Sequence, residues 1–256
     1  MNRRPLKAAL SAARVRRSSE LEPAVTKLMA SDAGHRRGDL CAAMAVVLVA
    51  TAWAGVALAQ ERDTWSTCAP VADRAGRALG CYIMARQTLR QLPEGPLYWH
   101  LDVYPTRAAA EQARGPAGTV VEAYGAVWLF TVAEANWRSS GGKHVADVGP
   151  LPVDTAGEHT AVYMEATSTP GMQSAVHRHP GPEAWYVIAG EQCLETPEGR
   201  TIVRAGEGGI VRAGPPMRLT ATGTVERRSL VLVLHDASEH WASPAPDWTP
   251  RGLCDQ

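Results

Sequence analysis

The chain has 256 residues and 26 acidic and 26 basic side chains, so its formal net charge is zero. Nucleic-acid-binding proteins usually carry a basic excess, and the balance argues against that class. Hydrophobic residues make up 45% of the chain, which excludes a wholly disordered protein. The 23 glycines and 18 prolines favour a turn-rich β protein over a helical bundle.

The zero charge is the sum of two unlike pieces. Residues 1–39 hold nine Lys/Arg and four Asp/Glu, a net of +5, and residues 40–59 hold no charge. Residues 60–256 hold seventeen Lys/Arg and twenty-two Asp/Glu, a net of −5. The acidic balance of the larger piece argues further against a nucleic-acid partner.

Residues 40–59 have the character of a signal peptide. They follow a basic segment and end in Ala57-Leu58-Ala59, the small-x-small pattern that a signal peptidase accepts. We predict that residues 1–59 are a leader cleaved after Ala59, with Met29 as an alternative start. The mature protein is then periplasmic or secreted, with no membrane attachment. The alternative is an uncleaved anchor, because about twenty apolar residues can span a bilayer.

Four cysteines follow the predicted cleavage point: Cys68, Cys81, Cys193 and Cys254. An even number in an oxidising compartment predicts two disulfides, for which three connectivities exist. Cys68 and Cys81 are separated by twelve residues, so we expect them to pair locally and leave Cys193 to pair with Cys254. The alternative is a set of buried free thiols.

The remaining sequence predicts short β-strands broken by Gly and Pro, as in a sandwich or barrel. The expected strands are Tyr98–Tyr104, Thr119–Ala123, Ala126–Val132, His144–Val148, Thr160–Glu165, Ser174–Arg178, Ala184–Ile188, Gln192–Glu195, Thr201–Arg204, Gly209–Arg212, Met217–Thr220 and Leu230–Leu234. Two short helices are expected, at Pro70–Ala78 and, after a Pro-Thr start signal, at Arg107–Arg114.

The segment from Gly171 to Gly190 carries residues with metal-binding chemistry. His177 and His179 are two apart, and residues i and i+2 of a strand project to the same face. Pro180-Gly181-Pro182 then predicts a turn, and an antiparallel return brings Glu183 opposite the imidazoles. Two histidines and one carboxylate form a facial set that suits Fe(II), Mn or Zn.

The spacing of this segment closely resembles the first motif of the cupin family, since every fixed position is filled. The resemblance covers roughly Glu158 to Glu239. It implies an all-β fold, a jelly-roll-type β-barrel that holds a metal or small ligand, and it makes a homodimer an expectation. We place the barrel at residues 153–245, after an N-terminal β-rich segment at 60–150 and before a tail at 246–256. The N-terminal segment is either a small α/β unit or a degenerate cupin half.

The second cupin motif is degenerate in this chain. Gly206 and Gly214 match it, but Arg212 stands where the family has Pro, Met217 where it has a metal-binding His, and Ala221 where it has Asn. The resemblance therefore implies a metal site reduced to the two histidines and the glutamate of the first motif.

Met217 at the fourth metal position leaves four interpretations open. Its side chain fills the core while water completes a three-ligand site, or the metal is lost and the barrel binds an organic ligand. A third interpretation makes the thioether a soft ligand, which favours copper in an oxidising compartment. In the fourth, His100 or His235 replaces the missing histidine.

Three further residues are candidates for substrate binding. Trp185 shares the predicted inward face of Glu183 and is either a ligand platform or barrel core. Arg212 and Arg218 flank the second motif and could hold an anionic substrate, or they are plain surface charges. The pair Arg227-Arg228 is expected in a solvated turn.

The sequence thus predicts an exported protein that binds one divalent metal, Fe, Mn or Zn, through His177, His179 and Glu183. It would act on a small molecule by oxygenase- or isomerase-type chemistry. The alternative is a non-enzymatic module that binds or senses a small ligand with an incomplete metal site. A copper-handling protein is the third hypothesis.

Overall fold

The computed structural model describes residues 68–255. The predicted leader, its cleavage after Ala59 and the alternative start at Met29 lie outside the described residues. Fifteen strands occur within the described range: β1 Ala69–Pro70, β2 Gly80–Leu89, β3 Leu97–Tyr104, β4 Gly118–Ala123, β5 Ala126–Glu134, β6 Lys143–Leu151, β7 His159–Ser168, β8 His177–Arg178, β9 Glu183–Ala189, β10 Glu191–Thr196, β11 Gly199–Arg204, β12 Gly208–Val211, β13 Arg218–Thr222, β14 Arg227–Asp236 and β15 Ser243–Pro244. The all-β class is therefore confirmed.

Between residues 68 and 255, helical structure is confined to two short pieces, a 3-10 helix at Val71–Arg74 and helix α1 at Arg107–Ala113. Helix α1 is confirmed, and its N-cap Thr106 accepts a hydrogen bond from the Ala109 amide at 3.2 Å. The longer helix expected at Pro70–Ala78 is wrong, because Ala75 turns left-handed, with φ 46°, and ends the helix. Neither helix of the described part is long and apolar enough to cross a bilayer.

The strands form three packed layers. The central layer is a six-stranded sheet in the order β1-β2-β7-β14-β9-β12. One face buries an apolar cluster against the four-stranded antiparallel sheet β4-β5-β3-β6. The other face packs toward the three-stranded sheet β11-β10-β13. The central sheet is thus covered on both sides, and its second face holds the candidate site.

Strand β14 is apolar along most of its length because both of its faces are buried. Leu230, Leu232 and Leu234 point into the core shared with the four-stranded sheet. Val231 and Val233 point to the opposite face. A strand covered on both faces has a continuous hydrophobic run instead of a polar–apolar alternation.

Strand β2 is absent from the sequence prediction. It pairs antiparallel with β7, and a bulge between Ile83 and Ala85 shifts its register. The bulge breaks the period-two pattern on which the prediction depends. Strands β3 to β6 form their own sheet, whereas β2 extends the central sheet, which also contains β9, the strand that begins at Glu183. The domain limits near residues 150–153 stay a prediction.

Hydrogen bonding leaves the described strands in four separate sheets, with no ladder that closes a barrel. Strand β8 pairs with β15 over two residues only. The segment after β8 contains Pro180 and Pro182, and the segment before β13 contains Pro215 and Pro216. Proline has no N–H, so these segments cannot continue a ladder. The end of the fold near β8 is therefore formed by loops.

Both predicted cysteine pairs are present. Cys68 bonds to Cys81, which lies in β2. Cys193 in β10 bonds to Cys254 and holds the end of the described chain against the three-stranded sheet.

Candidate metal centre

His177 and His179 lie on the same side of their segment, as the spacing predicts. Their rings are 4.9 Å apart between centroids. The intervening Arg178 points the other way and donates to the Asp247 carboxylate at 2.7 Å. Two backbone hydrogen bonds between His177 and Met217, at 3.2 and 2.8 Å, fix the position of the first histidine.

Backbone carbonyls hold the Nδ1 atoms of both rings. His177 Nδ1 donates to the Ala175 carbonyl at 2.8 Å, and His179 Nδ1 donates to the Trp241 carbonyl at 2.7 Å. A carbonyl oxygen only accepts, so the Nδ1 atoms carry the protons and the Nε2 lone pairs remain for a metal. Trp241 also stacks on His179, with 5.6 Å between ring centroids.

Glu183 completes the cluster from the start of β9. Its Oε2 lies 3.4 Å from His179 Nε2, and the ligand atoms of the three residues are all within 4.8 Å of one another. The turn that brings the carboxylate back needs glycine at Gly181, because a Cβ there would collide with the Leu234 carbonyl. The turn between the histidines and the glutamate thus brings the carboxylate back to the rings, but the expected antiparallel pairing is wrong, because β8 pairs with β15 whereas β9 pairs with β12 and β14.

Burial and mutual charge set the protonation of the cluster. Burial lowers the pKa of His177, and the nearby His179 acts in the same direction. Burial alone would lower the pKa of His179, but the Glu183 carboxylate and the Trp241 carbonyl outweigh it and raise the pKa. Burial alone would raise the pKa of Glu183, yet His179 and His177 hold it below its usual range. The carboxylate is therefore ionised at neutral pH.

These residues fit a divalent cation. Glu183 is 3% exposed, and its Oε2 has no hydrogen-bond partner among the described residues. A buried carboxylate oxygen without a donor is costly, and a cation bound by the two free Nε2 atoms would neutralise it. Between residues 68 and 255 no second group of three His, Cys, Asp or Glu side chains clusters in this way.

The cluster opens into a cavity of about 440 Å³. That volume lies within the range of small-molecule sites. The C-terminal segment around Trp241 closes one side of the cavity, and the Cys68–Cys81 pair lines another. Most of the remaining wall is apolar and includes Ile83, Met164, Ala166, Leu219, Ala221 and Val231.

Met217 lies directly across from His177, so the two side chains share a face. It is fully buried in the apolar cluster that includes Val162, Trp185 and Val233, and it does not line the cavity. This placement favours the interpretation of Met217 as core filler. Its role as a soft ligand stays a prediction.

The structure separates the two histidines considered as replacement ligands. His100 lies in β3 of the four-stranded sheet and contacts the Asp147 carboxylate at 2.5 Å. His235 lies on the site face of β14, and its Nδ1 donates to the Asp236 carbonyl at 2.8 Å. The His235 Nε2 atom is buried without a partner, but His235 does not belong to the cluster of three.

The predicted substrate-binding residues lie away from the cavity lining. Trp185 faces inward with Glu183 but is fully buried in the core. Arg212 is exposed and forms an ion pair with Glu198. Arg218 bonds to Glu195 and to Asp255, at 3.3 and 2.9 Å, and so holds the C-terminal tail.

Arg227 is the functional candidate that the sequence prediction misses. The expected solvated turn is wrong for this residue, which is 5% exposed and lines the cavity. Arg228 points the opposite way, with a half-exposed side chain paired to Glu226. The alternation of β14 would have revealed this position. Residues two apart on a strand share a face, so Arg227 is predicted on the same buried face as Val231 and Val233.

No protein-family model matches the chain, and no curated protein matches it. Solved structures do match part of it. Its structural neighbours are cupin-type proteins. An oxalate oxidase in complex with glycolate is 20% identical over 34% of this chain and 46% of its own, with a TM-score of 0.30.

Two other neighbours have similar scores. A DMSP lyase from Ruegeria pomeroyi is 19% identical over 35% of this chain and 45% of its own, with a TM-score of 0.31. A Klebsiella pneumoniae protein with a double-stranded β-helix domain is 22% identical over 43% of this chain and 84% of its own, with a TM-score of 0.30. The match spans less than half the length of the oxidase and lyase chains.

Proposed function

We propose that the protein binds one divalent metal, Fe, Mn or Zn, through His177, His179 and Glu183 and acts on a small molecule in the adjoining cavity. The observation that carries this proposal is the hydrogen bonding of the two rings. Each Nδ1 is held by a backbone carbonyl, and both Nε2 atoms are left beside a buried carboxylate.

Three protein ligands leave coordination positions for water and substrate. A bound divalent metal would supply Lewis-acid polarisation and orientation of a substrate oxygen. The chain itself supplies the rest of the chemistry. Trp241 and the Ala175 carbonyl fix the rings, the apolar walls exclude water, and the cavity selects a ligand by size. Chemistry of the oxygenase or isomerase type suits such a site.

We also propose that the protein works outside the cytoplasm as a periplasmic or secreted protein. The support is the predicted leader over residues 1–59 together with two cysteine pairs at disulfide distance. Disulfides persist mainly in oxidising compartments. N-terminal sequencing of the exported protein tests this directly, and a mature N-terminus at Gln60 is the expected result.

Metal analysis of untagged protein, expressed from the full-length chain and purified from the exported fraction, tests the metal site. One metal per chain is expected, and a His177→Ala or His179→Ala variant should lose it. His144→Ala is the matched control, because His144 lies in β6 of the four-stranded sheet. A metal-free wild-type chain that also takes up none on addition of Fe(II), Mn(II) or Zn(II) would overturn the proposed metal site.

A further inference from the structure

Arg227 is a buried cation without a carboxylate in contact. Its guanidinium donates to the Gln192 side-chain oxygen and, at 2.9 Å, to the Ser168 hydroxyl. Its Nε is buried and has no partner among the described residues. No carboxylate of the described chain lies within salt-bridge distance of it, although Arg227 lines the cavity.

An unpaired charge in this position is costly. Burial removes the guanidinium from water, and neutral oxygens compensate only part of the lost hydration. Burial lowers the pKa of Arg227 to about 10, so the side chain keeps its charge at neutral pH. Glu183 is the one carboxylate of the described residues that lines the same cavity; its charge acts on Arg227 from a distance, but its Oε2 lies beside His179 and does not contact the guanidinium. A counter-ion in direct contact with Arg227 must therefore come from a ligand.

Ser168 adds a second donor beside the first. Its oxygen accepts from Arg227, and no described side chain or carbonyl accepts the hydroxyl hydrogen of Ser168. Ser168 also lines the cavity. Arg227 and Ser168 thus both line the cavity, and each keeps a donor hydrogen that no described residue accepts, which suits the two oxygens of a carboxylate.

We propose that Arg227 and Ser168 form a carboxylate-binding subsite and that the ligand of this cavity is an organic carboxylate with an apolar body. The apolar body would lie on the wall formed by Met164, Ala166 and Val231. The subsite deepens the proposed function by naming its substrate class, and it rests on that function only for the chemistry that follows binding.

Pairs of acids and amides of equal size test the subsite. Calorimetric titrations of the wild-type protein would use butanoate, hexanoate and octanoate, each beside its primary amide. We expect at least one acid to bind about tenfold or more tightly than its amide, since a hydrogen-bonded charge pair in a buried site is worth that much. Equal binding of acid and amide throughout, or no binding of any acid, overturns the proposal.

Three variants locate the preference. Arg227→Gln should abolish it, whereas Arg228→Gln should retain it because that neighbour faces away with a half-exposed side chain. Arg86→Gln should also retain it; Arg86 is the exposed guanidinium at the cavity wall, 5.7 Å from the Trp241 ring centroid. A preference that disappears with Arg86 and survives Arg227→Gln contradicts the assignment.

Ser168→Ala is the milder variant if Arg227→Gln fails to fold, and it should weaken acid binding while leaving amide binding unchanged. An unchanged acid preference in Ser168→Ala, with Arg227→Gln unfolded, would overturn the two-donor subsite. Metal titration of the same samples separates the proposals. In the wild-type protein, equal binding of acid and amide together with normal metal binding overturns the subsite alone. An acid preference in a chain that binds no metal overturns the metal-dependent function alone.

Discussion

Two regions of the molecule each gather histidines and carboxylates, yet their ring nitrogens are used in opposite ways. In the four-stranded sheet, His100 contacts the Asp147 carboxylate at 2.5 Å and the Glu134 carbonyl at 3.0 Å. His144 lies 3.2 Å from both Asp102 and Asp147. Both nitrogens of each ring therefore lie against an oxygen atom of a neighbouring residue, and neither ring turns a nitrogen toward open space.

The cavity cluster leaves one nitrogen of each ring unused. His177 and His179 give Nδ1 to backbone carbonyls and turn Nε2 toward Glu183. A group of His with Asp or Glu side chains is therefore not enough to define a metal site. What defines it is whether the neighbours of each ring hold one nitrogen and leave the other free.

The largest expected effect follows the removal of the only carboxylate of the cavity cluster. Glu183→Gln should weaken metal binding on the order of 100-fold or more, because it removes a ligand and its charge. Calorimetric titration with Zn(II) measures the loss. Asp102→Asn, in the four-stranded sheet, is the control and should bind metal as the wild type does. Equal losses of metal affinity in the two variants would show that the metal site does not depend specifically on Glu183.

The second prediction concerns the stability of the four-stranded sheet. Asp147→Asn should lower the free energy of unfolding by about 1–3 kcal/mol, because the fully buried His100 loses a charged partner. Arg138→Gln should cost less than about 1 kcal/mol, since this partner of Asp147 is half-exposed. Urea unfolding measures both variants. A loss of metal binding in Asp147→Asn, without unfolding, would contradict the separation of the two regions.

Metal binding should also depend on pH. The raised pKa of His179 means that its Nε2 still competes for a proton above the usual histidine range. Affinity should therefore fall about tenfold per pH unit below that pKa, with one proton released per metal bound, and should level off above it. Titrations in buffers of different ionisation enthalpy count the proton. An affinity that is constant from about pH 5.5 to 8 would rule out competition at the imidazole.

The smallest effect is expected at Met217. Met217→Leu conserves the volume of the buried side chain, so it should change the free energy of unfolding by less than about 1.5 kcal/mol and leave metal affinity unchanged. Thermal unfolding and a Cu(I) titration measure the two quantities. A lost Cu(I) site in this variant would instead support the thioether as a ligand.

Local sequence carries most of the fold and the core of the site. The HxH segment, its proline turn and Glu183 are close in sequence, so strand alternation for the two histidines and the turn for Glu183 bring them together. The cysteine pairing was also predictable, because one pair is local and leaves a single partner for the other.

Other features depend on distant contacts that no local pattern records. The bulge in β2 hides its alternation, and its membership of the central sheet depends on pairing with β7. The predicted strand Leu230–Leu234 stops short of Arg227, which therefore resembles a surface residue in the sequence; in the structure β14 begins at Arg227. Its burial depends on Gln192, Ser168 and the close approach of Gly190. Arg212 and Arg218 resemble substrate-binding residues in the sequence, but in the structure they form ion pairs with Glu198 and Glu195.

An anomalous-scattering map of crystals soaked in Mn(II) or Zn(II) tests the central claim most directly. One strong peak is expected, at about 2.0–2.2 Å from the Nε2 atoms of His177 and His179 and from a Glu183 oxygen. The cluster around His144 should show no peak. A peak at His144 and Asp102, or none at the three predicted ligands, would contradict a metal site formed by His177, His179 and Glu183.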